Sequence, residues 1–158
     1  MLPLPAGIDV VTAAALAEVA ATVHSNLVMT AQLQAGETVL VHGGAGSIGA
    51  MAIQLAKAAG ARVIATASTA NQGFIKQLGA DIAIDYSKTR VEEIAKDVDA
   101  VLDPVGGETL ARSYGVVKKG GIVLSLVARP DPAELEKRSI HGAAISVHPE
   151  AGNLAEIA

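Results

Sequence analysis

The sequence predicts an α/β fold, a doubly wound parallel sheet with helices on both faces. Apolar runs of strand length alternate with helical patterns along most of the chain, which is typical of βαβ units. Hydrophobic residues make up 51% of the chain and aromatic residues only 2%, so the core must be aliphatic, as in parallel strands buried on both faces. We therefore expect about six strands in the order 3-2-1-4-5-6, in one domain over residues 1–158.

Residues 1–35 are expected to lead into the sheet as helices. Asp9 can cap a helix over 10–23, whose apolar residues share one face. A second helix is predicted over 26–33.

Residues 36–148 are predicted to form the core of alternating strands and helices. The strand candidates are 38–42, 62–67, 82–85, 99–103, 121–127 and 140–147. The helix candidates are 47–59, 69–78, 90–96, 107–117 and a short one near 132–137. The turns from helix to strand are assigned to Gly36, Gly60, Gly79 and Gly120.

The last residues, 149–158, begin a helical pattern that the chain leaves without a cap. We expect them to be the start of a truncated helix, and the chain to be a piece of a longer protein.

Composition argues against several classes of function. The net charge of −4 and the shortage of aromatic residues disfavour a nucleic-acid partner. The chain has no cysteine, so it forms no disulfide and no thiolate zinc site. Neither a targeting segment nor a convincing membrane span is evident, which predicts a cytoplasmic protein without membrane contact.

A glycine-rich turn is the strongest functional signal. Gly44, Gly46 and Gly49 fit G-x-G-x-x-G between a predicted strand and a predicted helix, and no acidic residue occurs between Glu37 and Asp81. In this motif the first glycine permits a tight turn, the second lets the backbone approach a pyrophosphate, and the third lets helix and strand pack closely. The N–H groups that begin the helix add a partial positive charge, so we predict a dinucleotide site.

The end of the second strand favours NADP(H) over NAD(H). An NAD site usually carries an acid there to bind the ribose 2′-hydroxyl, and this chain has none between residues 64 and 69. Ser68, Thr69 and Asn71 can donate hydrogen bonds instead, and Lys88 and Arg90 follow the third strand. A methyltransferase, the other doubly wound class considered, also needs an acid after the second strand.

Other chemistry-bearing residues have simpler interpretations. Tyr114 and Lys118 match the Y-x-x-x-K pair of short-chain dehydrogenases, but the glycine spacing differs, and we expect Tyr114 to pack in the core. The four histidines lack the i+3 or i+4 partners of a metal site, so we predict no metal. His42 is expected to be structural, although it can line a cofactor cleft, and Asp103 is either a ribose contact or a loop cap.

Several motifs in order resemble the cofactor domain of the medium-chain dehydrogenase/reductase superfamily. They are GETVLVH (36–42) leading into the glycine loop, AIQLAK (52–57), GARVIATAS (60–68), LGAD (78–81), IDY (84–86), VDAVLD (98–103), GGETL (106–110) and KGG (119–121). They are most similar to the zinc-independent, zeta-crystallin-type quinone oxidoreductases, and enoyl reductase domains of polyketide synthases look similar. The resemblance covers nearly the whole chain and about half of a typical family member.

The resemblance implies which residues hold the cofactor. Pyrophosphate contacts fall on the glycine turn, Ser68 lies by the adenosine ribose and Tyr86 near the 2′-phosphate or adenine, while the ends of the fourth and fifth strands approach the nicotinamide ribose. With the donors named above, the candidate cofactor-binding residues are Gly44, Ala45, Gly46, Ser47, Ile48, Gly49, Ser68, Thr69, Asn71, Tyr86, Asp103, Val105, Ser125, Leu126 and Val127. Four positions depart from the family: Ala70 and Asn71 stand where Arg or Lys is frequent, Ser47 where Gly is usual, and His24 where an aromatic residue is common.

We therefore expect an NADP(H)-binding domain of a quinone oxidoreductase-like reductase. The intact enzyme would transfer hydride from the nicotinamide to a quinone or an activated C=C or C=O, and the family's N-terminal catalytic domain is absent from this chain. No residue here stands out as a catalytic acid. The alternative is an isolated or engineered Rossmann module that binds or dimerises without catalysis. The resemblance also implies a homodimer through the apolar edge strand 140–147.

Overall fold

Six parallel strands form one sheet in the order β3-β2-β1-β4-β5-β6. The computed structural model describes Asp9 and residues 18–144, and predictions that fall on 1–8, 10–17 or 145–158 lie outside the described residues. The strands are β1 (Thr38–Val41), β2 (Arg62–Ala67), β3 (Ile82–Asp85), β4 (Val98–Asp103), β5 (Val117–Ser125) and β6 (His141–Ala144). The predicted fold class and strand order are confirmed.

Helices connect the strands and cover both faces of the sheet. They are α1 (Ser47–Ala58), α2 (Gln72–Gln77), α3 (Val91–Ile94), α4 (Gly107–Ser113) and α5 (Pro132–Arg138). α1 and α2 pack on one face, with the helical segment that begins the described chain, while α3 and α4 pack on the other. Among the described residues no helix is both long enough and apolar enough to span a membrane.

The core is divided by the sheet into two aliphatic layers. Val39 and Val41 of β1 belong to the layer under α1, and Leu40 between them belongs to the layer under α4. Successive side chains of a strand point to opposite faces, so a strand buried on both sides needs an apolar residue at every position. All three of these side chains are fully buried.

Two elements differ from the sequence prediction. The helix predicted over 107–117 ends at Ser113, and the strand predicted from 121 begins at Val117. Val117 pairs with Val98, after which the register shifts and Ile122 pairs with Ala100. The early start was missed because the polar residues 118–120 read as a turn, whereas they form an irregular stretch within β5.

The N-terminal helices also differ from the prediction. The predicted break between helices over 10–23 and 26–33 does not occur, since residues 18–24 are helical and continue directly into a π-helix, Ser25–Thr30. The wider turn is closed by the amide of Ala31, which donates to the carbonyl of Asn26 at 2.8 Å. The predicted helix over 69–78 similarly begins as a 3-10 turn, Thr69–Asn71, before α2.

Candidate functional site

The candidate site lies at the carboxyl edge of the sheet, where the order of strands reverses. β1 and β4 are neighbours, with Val41 paired to Leu102, yet the helices that follow them cover opposite faces. The two loops therefore separate and leave a crevice above the strand ends, the usual ligand position in open α/β sheets.

The glycine turn after β1 is held against β2 and α1. The amide of Gly44 donates to the carbonyl of Thr66 at 2.7 Å, and the amide of Gly46 donates to the carbonyl of Gly43 at 2.9 Å. The left-handed residue of the turn is Gly43, with φ at 59°, whereas the motif assigned the tight turn to Gly44. Gly44 is needed for packing instead, because a Cβ there would lie 3.2 Å from the side chains of Ala65, Ile53 and Ile75.

The start of α1 offers a positive end to the crevice. Gly46 precedes the helix in an extended conformation, and its first turn contains no acidic residue. The first N–H groups of a helix have no partner within it and carry about half a positive charge. α1 has 12 residues, so the full dipole is directed at the turn between Gly43 and Ser47. The arrangement suits an anionic group such as a pyrophosphate.

A buried chain of hydrogen bonds links the glycine turn to α4. His42 Nε2 lies 2.9 Å from Ser113 Oγ, and His42 Nδ1 lies 3.2 Å from Thr66 Oγ1. The hydroxyl of Ser113 donates to the carbonyl of Thr109 at 2.8 Å, so Nε2 must carry the imidazole proton and donate it to Ser113. Nδ1 then accepts from Thr66, whose oxygen accepts from the amide of Gly43 at 3.2 Å.

These hydrogen bonds require the imidazole of His42 to be neutral. Burial lowers the pKa of His42 to about 4, although the carboxylates of Asp103 and Glu92 oppose the shift. An imidazolium would place a proton on Nδ1, which would face the proton of Thr66. The structural role expected for His42 is present in the structure, and its ring also borders the crevice.

The polar residues after β2 are tied to one another and to β3. Ser68 Oγ accepts from the side-chain amide of Asn71 at 3.2 Å, and the hydroxyl of Thr69 donates to Asp85 at 2.5 Å. The side-chain amide of Gln72 donates to the carbonyl of Ala67, the last residue of β2, and to that of Ile84, the residue before the end of β3. Gln72, which the sequence analysis did not select, therefore clamps the two strand ends under the proposed ribose loop.

Asp85 is an acid beside the end of β2 that the sequence search missed. It pairs with Ala67 in the parallel register, so its carboxylate lies next to the loop in which no acid was found. Hydrogen bonds from the hydroxyls of Ser87 and Thr69 lower the pKa of Asp85 to about 2, and Lys88 Nζ lies 3.4 Å away. The carboxylate is ionised at neutral pH, and its charge is largely balanced.

A cavity of about 470 Å³ opens beside the glycine turn, on the face covered by α3 and α4. It lies between the ends of β1, β2 and β3 and is bordered by the loop after β4. Its lining residues include Tyr86, Arg90, Val91, Val105, Thr109 and Arg112. Tyr86 is 63% exposed and Val105 53%, and such exposed apolar surface in a cleft suits a planar ring.

The ends of β4 and β5 form the other wall of the crevice. Asp103 is fully buried, and its carboxylate accepts from the amides of Val105 and Gly106 at 3.0 and 3.1 Å. Of the two roles left open for Asp103, the loop cap is therefore present. Ser125 Oγ faces the amide of Val127 at 3.4 Å, and the amide of Leu126 donates to the carbonyl of Asp103 at 3.0 Å. Val127 remains exposed at the rim.

Tyr114 and Lys118, which match Y-x-x-x-K, have partners outside the crevice. Tyr114 is 5% exposed, and its hydroxyl oxygen accepts from the amide of Asp131 at 2.9 Å, which confirms its packing role. Lys118 forms an ion pair with Asp99. In the part of the chain that is described, no three His, Cys, Asp or Glu residues come together as a possible metal site.

All fifteen candidate cofactor residues lie at or just after the carboxyl ends of β1 to β5 and so border one edge of the sheet. The sequence analysis missed Thr66, Ser113 and Gln72 because single polar residues within apolar elements carry no motif. The alternation of strands could have identified Asp85, since it predicts that the ends of β2 and β3 adjoin.

Comparison with known proteins agrees with this fold. Residues 47–148 match the family described as zinc-binding dehydrogenase, and the chain belongs to this family, within the medium-chain dehydrogenase/reductase superfamily. It is 38% identical over 130 residues to the chloroplastic NADPH-dependent alkenal/one oxidoreductase of Arabidopsis thaliana, covering 81% of this chain and 33% of that one. It is 40% identical over 131 residues to the 2-methylene-furan-3-one reductase of Solanum lycopersicum, with the same coverage.

Solved structures of quinone oxidoreductases share the fold over almost the whole chain. The Coxiella burnetii enzyme superposes with a TM-score of 0.88 at 30% identity, over 97% of this chain and 49% of that one. The Escherichia coli enzyme complexed with NADPH gives a TM-score of 0.85 at 28% identity, over 98% and 52%. This chain thus spans about a third of the curated relatives and half of the solved chains.

Proposed function

We propose that the chain is the NADPH-binding domain of a reductase that, when intact, transfers hydride to a quinone or to an activated C=C or C=O. The observation that carries this proposal is the glycine turn before α1, at the point where the sheet order reverses. There the backbone can approach a pyrophosphate, since Gly46 has no side chain and the helix dipole favours its charge. The names of relatives support both the cofactor and the reaction class.

The fifteen residues named from the sequence would hold the cofactor along the strand ends. The amides of Ser47 and Ile48 would bind the pyrophosphate, and Gly46 would contact it through its unsubstituted Cα, since the Gly46 amide already donates to the carbonyl of Gly43. Ser68 would contact the adenosine ribose, Tyr86 would stack in the cavity of about 470 Å³, and the β4 and β5 loops would border the nicotinamide ribose. Asp103 would act on this site through loop amides, because its carboxylate already accepts from the amides of Val105 and Gly106. Ser125 Oγ accepts from the amide of Val127 at 3.4 Å and would keep its own proton for the cofactor.

Bound NADPH would supply the hydride, and this chain would orient it and exclude water from one side. The exposed side chains of Val105 and Val127 at the rim of β4 and β5 offer an apolar wall of the kind that shields a nicotinamide. Most of the substrate pocket, and the source of the proton, would belong to an N-terminal catalytic domain that is not in this sequence. Independence from zinc is part of the proposal and depends on the motifs shared with quinone oxidoreductases.

The alternative is a binding module without turnover. This chain matches only a third of the length of its curated relatives. That coverage favours the alternative for the chain by itself. Mixing the 158-residue chain with NADPH and a quinone and following absorbance of the reduced nicotinamide tests whether this chain has turnover by itself. We expect binding without turnover, and steady oxidation above the rate without protein would show that this chain is catalytic.

We also propose that two copies pair through the edge strand β6. This strand lies at the end of the sheet and is mostly exposed, and paired edges would give one continuous sheet. Ile140 is buried in the core, so the exposed edge begins at His141, while the predicted contributions of Ile145 and Val147 fall outside the described residues. Sedimentation equilibrium should give a dimer mass, and a monomer at every concentration would contradict this proposal. A cytoplasmic location stays a prediction, since relatives include chloroplastic and mitochondrial proteins.

A further inference from the structure

The basic side chains near the proposed adenosine end of the site differ in whether a carboxylate already pairs with them. Lys88 Nζ lies 3.4 Å from Asp85. Arg112 is shared between Glu108 and Glu92, whose Oε1 lies 3.7 Å from Arg112 Nε. Both cations are thus paired with carboxylates, and neither offers a full charge to a bound anion.

Arg90 is different. It stands between the end of β3 and the start of α3, lines the same cavity as Tyr86, and forms no ion pair with any residue in the described part of the chain. A solvated guanidinium without a carboxylate partner can bind a phosphate through two parallel N–H donors. Its neighbours Glu92 and Glu93 belong to the first turn of α3, and Glu92 Oε1 lies 3.7 Å from Arg112 Nε, while its buried Oε2 has no hydrogen-bond partner among the described residues.

The only carboxylate paired in register with the end of β2 is that of Asp85, and it is restrained. Its Oδ2 accepts from Thr69 at 2.5 Å, and its Oδ1 accepts from the hydroxyl and amide of Ser87 at 2.6 and 3.0 Å. With Lys88 beside it, the carboxylate has no free lone pair directed at a ribose 2′-hydroxyl and little net charge to repel a 2′-phosphate.

We propose that the turn from Asp85 to Arg90 determines selectivity for NADPH over NADH. Arg90 supplies the cation for the 2′-phosphate, and Thr69, Ser87 and Lys88 keep Asp85 from opposing it. The cation that Ala70 and Asn71 do not provide after β2 is thus provided after β3. This proposal rests on the proposed function, since it assumes that the adenosine end of a dinucleotide enters this cavity.

The test is calorimetric titration of the 158-residue chain and its variants with NADPH and NADH. Arg90→Gln should weaken NADPH roughly tenfold or more, the size expected for one charge-assisted contact, and change NADH less than about twofold. Arg90→Lys should retain part of the preference, because it keeps the charge but loses the two parallel N–H donors. Arg62→Gln is the matched control: Arg62 is an exposed arginine at the amino end of β2, on the opposite edge of the sheet.

Substitution of Asp85 and of Lys88, which form an ion pair, gives a second test, because the two changes should shift the preference for NADPH in opposite directions. Asp85→Asn frees Lys88 and should raise the preference for NADPH several-fold, whereas Lys88→Gln leaves Asp85 less balanced and should lower it. A structural role for the turn would weaken both cofactors in both variants. The proposal is overturned if Arg90→Gln weakens NADPH and NADH equally or neither, or if the two charge variants act in the same direction.

Failure of the proposed function would look different. In that case the unaltered chain would bind neither dinucleotide. A wild-type chain that binds NADPH, with an unchanged preference in Arg90→Gln, would overturn the selectivity proposal alone.

Discussion

The Cα of Gly49 lies so close to the carbonyl of Gly43 that a Cβ on Gly49 would stand 2.3 Å from that oxygen and 2.7 Å from the Cα of Gly44. At Gly49, α1 therefore contacts the turn that precedes it through backbone atoms. This contact fixes the direction of the first N–H groups of the helix. The third glycine of the motif is thus required by packing, independently of any ligand.

Replacing Gly49 by alanine should disrupt both stability and cofactor binding. The atoms that the new methyl group meets belong to backbone, so the turn or the helix must move, at a cost of about 1–3 kcal/mol or more in the free energy of unfolding. Urea unfolding and calorimetric titration with NADPH measure the two effects.

Gly73 provides the matched control. It lies in α2 and has no positive φ, and a Cβ on Gly73 would meet no neighbouring atom within 4 Å. Gly73→Ala should stabilise the chain by about 0.4–1 kcal/mol, because alanine restricts the unfolded chain. Equal losses in the two variants would show that the Gly43 contact is not the cause.

His42 should make folding stability depend on pH. Its pKa is lowered to about 4 in the folded chain, below the 6.5 of an exposed histidine. The unfolded state then binds more protons between these values, so stability is fully present above pH 6.5 and falls as the pH drops toward 4. Urea unfolding should show a loss of roughly 2 kcal/mol between pH 7 and pH 5 attributable to this residue.

Substitution isolates the contribution of His42. His42→Gln should be less stable than wild type at pH 7, because the buried hydrogen-bond chain is broken, yet its stability should change less between pH 7 and pH 5. His141→Gln, at an exposed edge position, should keep the wild-type slope. A wild-type slope in His42→Gln would mean that this imidazole does not titrate as described.

Tyr114→Phe separates packing from catalysis at the Y-x-x-x-K match. The hydroxyl of Tyr114 only accepts from the amide of Asp131, so its removal should cost about 0.5–1.5 kcal/mol of stability and leave NADPH affinity unchanged. Tyr86→Ala should give the reverse pattern, since Tyr86 is exposed in the cavity. Loss of NADPH binding in Tyr114→Phe would show that the packing assignment is incomplete.

The fold was predictable because it depends on features that repeat along the chain. Aliphatic strand runs such as Thr38–Val41 and glycines at the joints establish a parallel sheet without knowledge of any contact. The irregular regions were not predictable in this way. Residues 118–120 belong to β5 only because a register shift lets the strand continue past Val117. The π-helix Ser25–Thr30, with Ser25, Asn26 and Leu27 buried, has no such repeating signal in the sequence.

The site was predictable where backbone chemistry defines it and not where side chains from distant elements meet. The glycine turn has a local signature, whereas the hydrogen bond between His42 and Ser113 joins side chains 71 positions apart in the sequence. Asp85 shows the same limit, since a search along β2 found no acid while the neighbouring strand supplied one. Its effect on charge could be judged only after Thr69, Ser87 and Lys88 were found around it.

The proposed cofactor site depends above all on the glycine turn and the start of α1, which would hold the pyrophosphate of NADPH. A titration of the ¹⁵N-labelled chain with NADPH, followed through its amide resonances, observes these groups one by one. We predict that the amides of Gly46, Ser47 and Ile48 shift together with that of Tyr86, saturating at one concentration. Shifts confined to other surfaces, such as the β6 edge near Arg129 and Leu135, or no shift at saturating NADPH, would contradict this assignment.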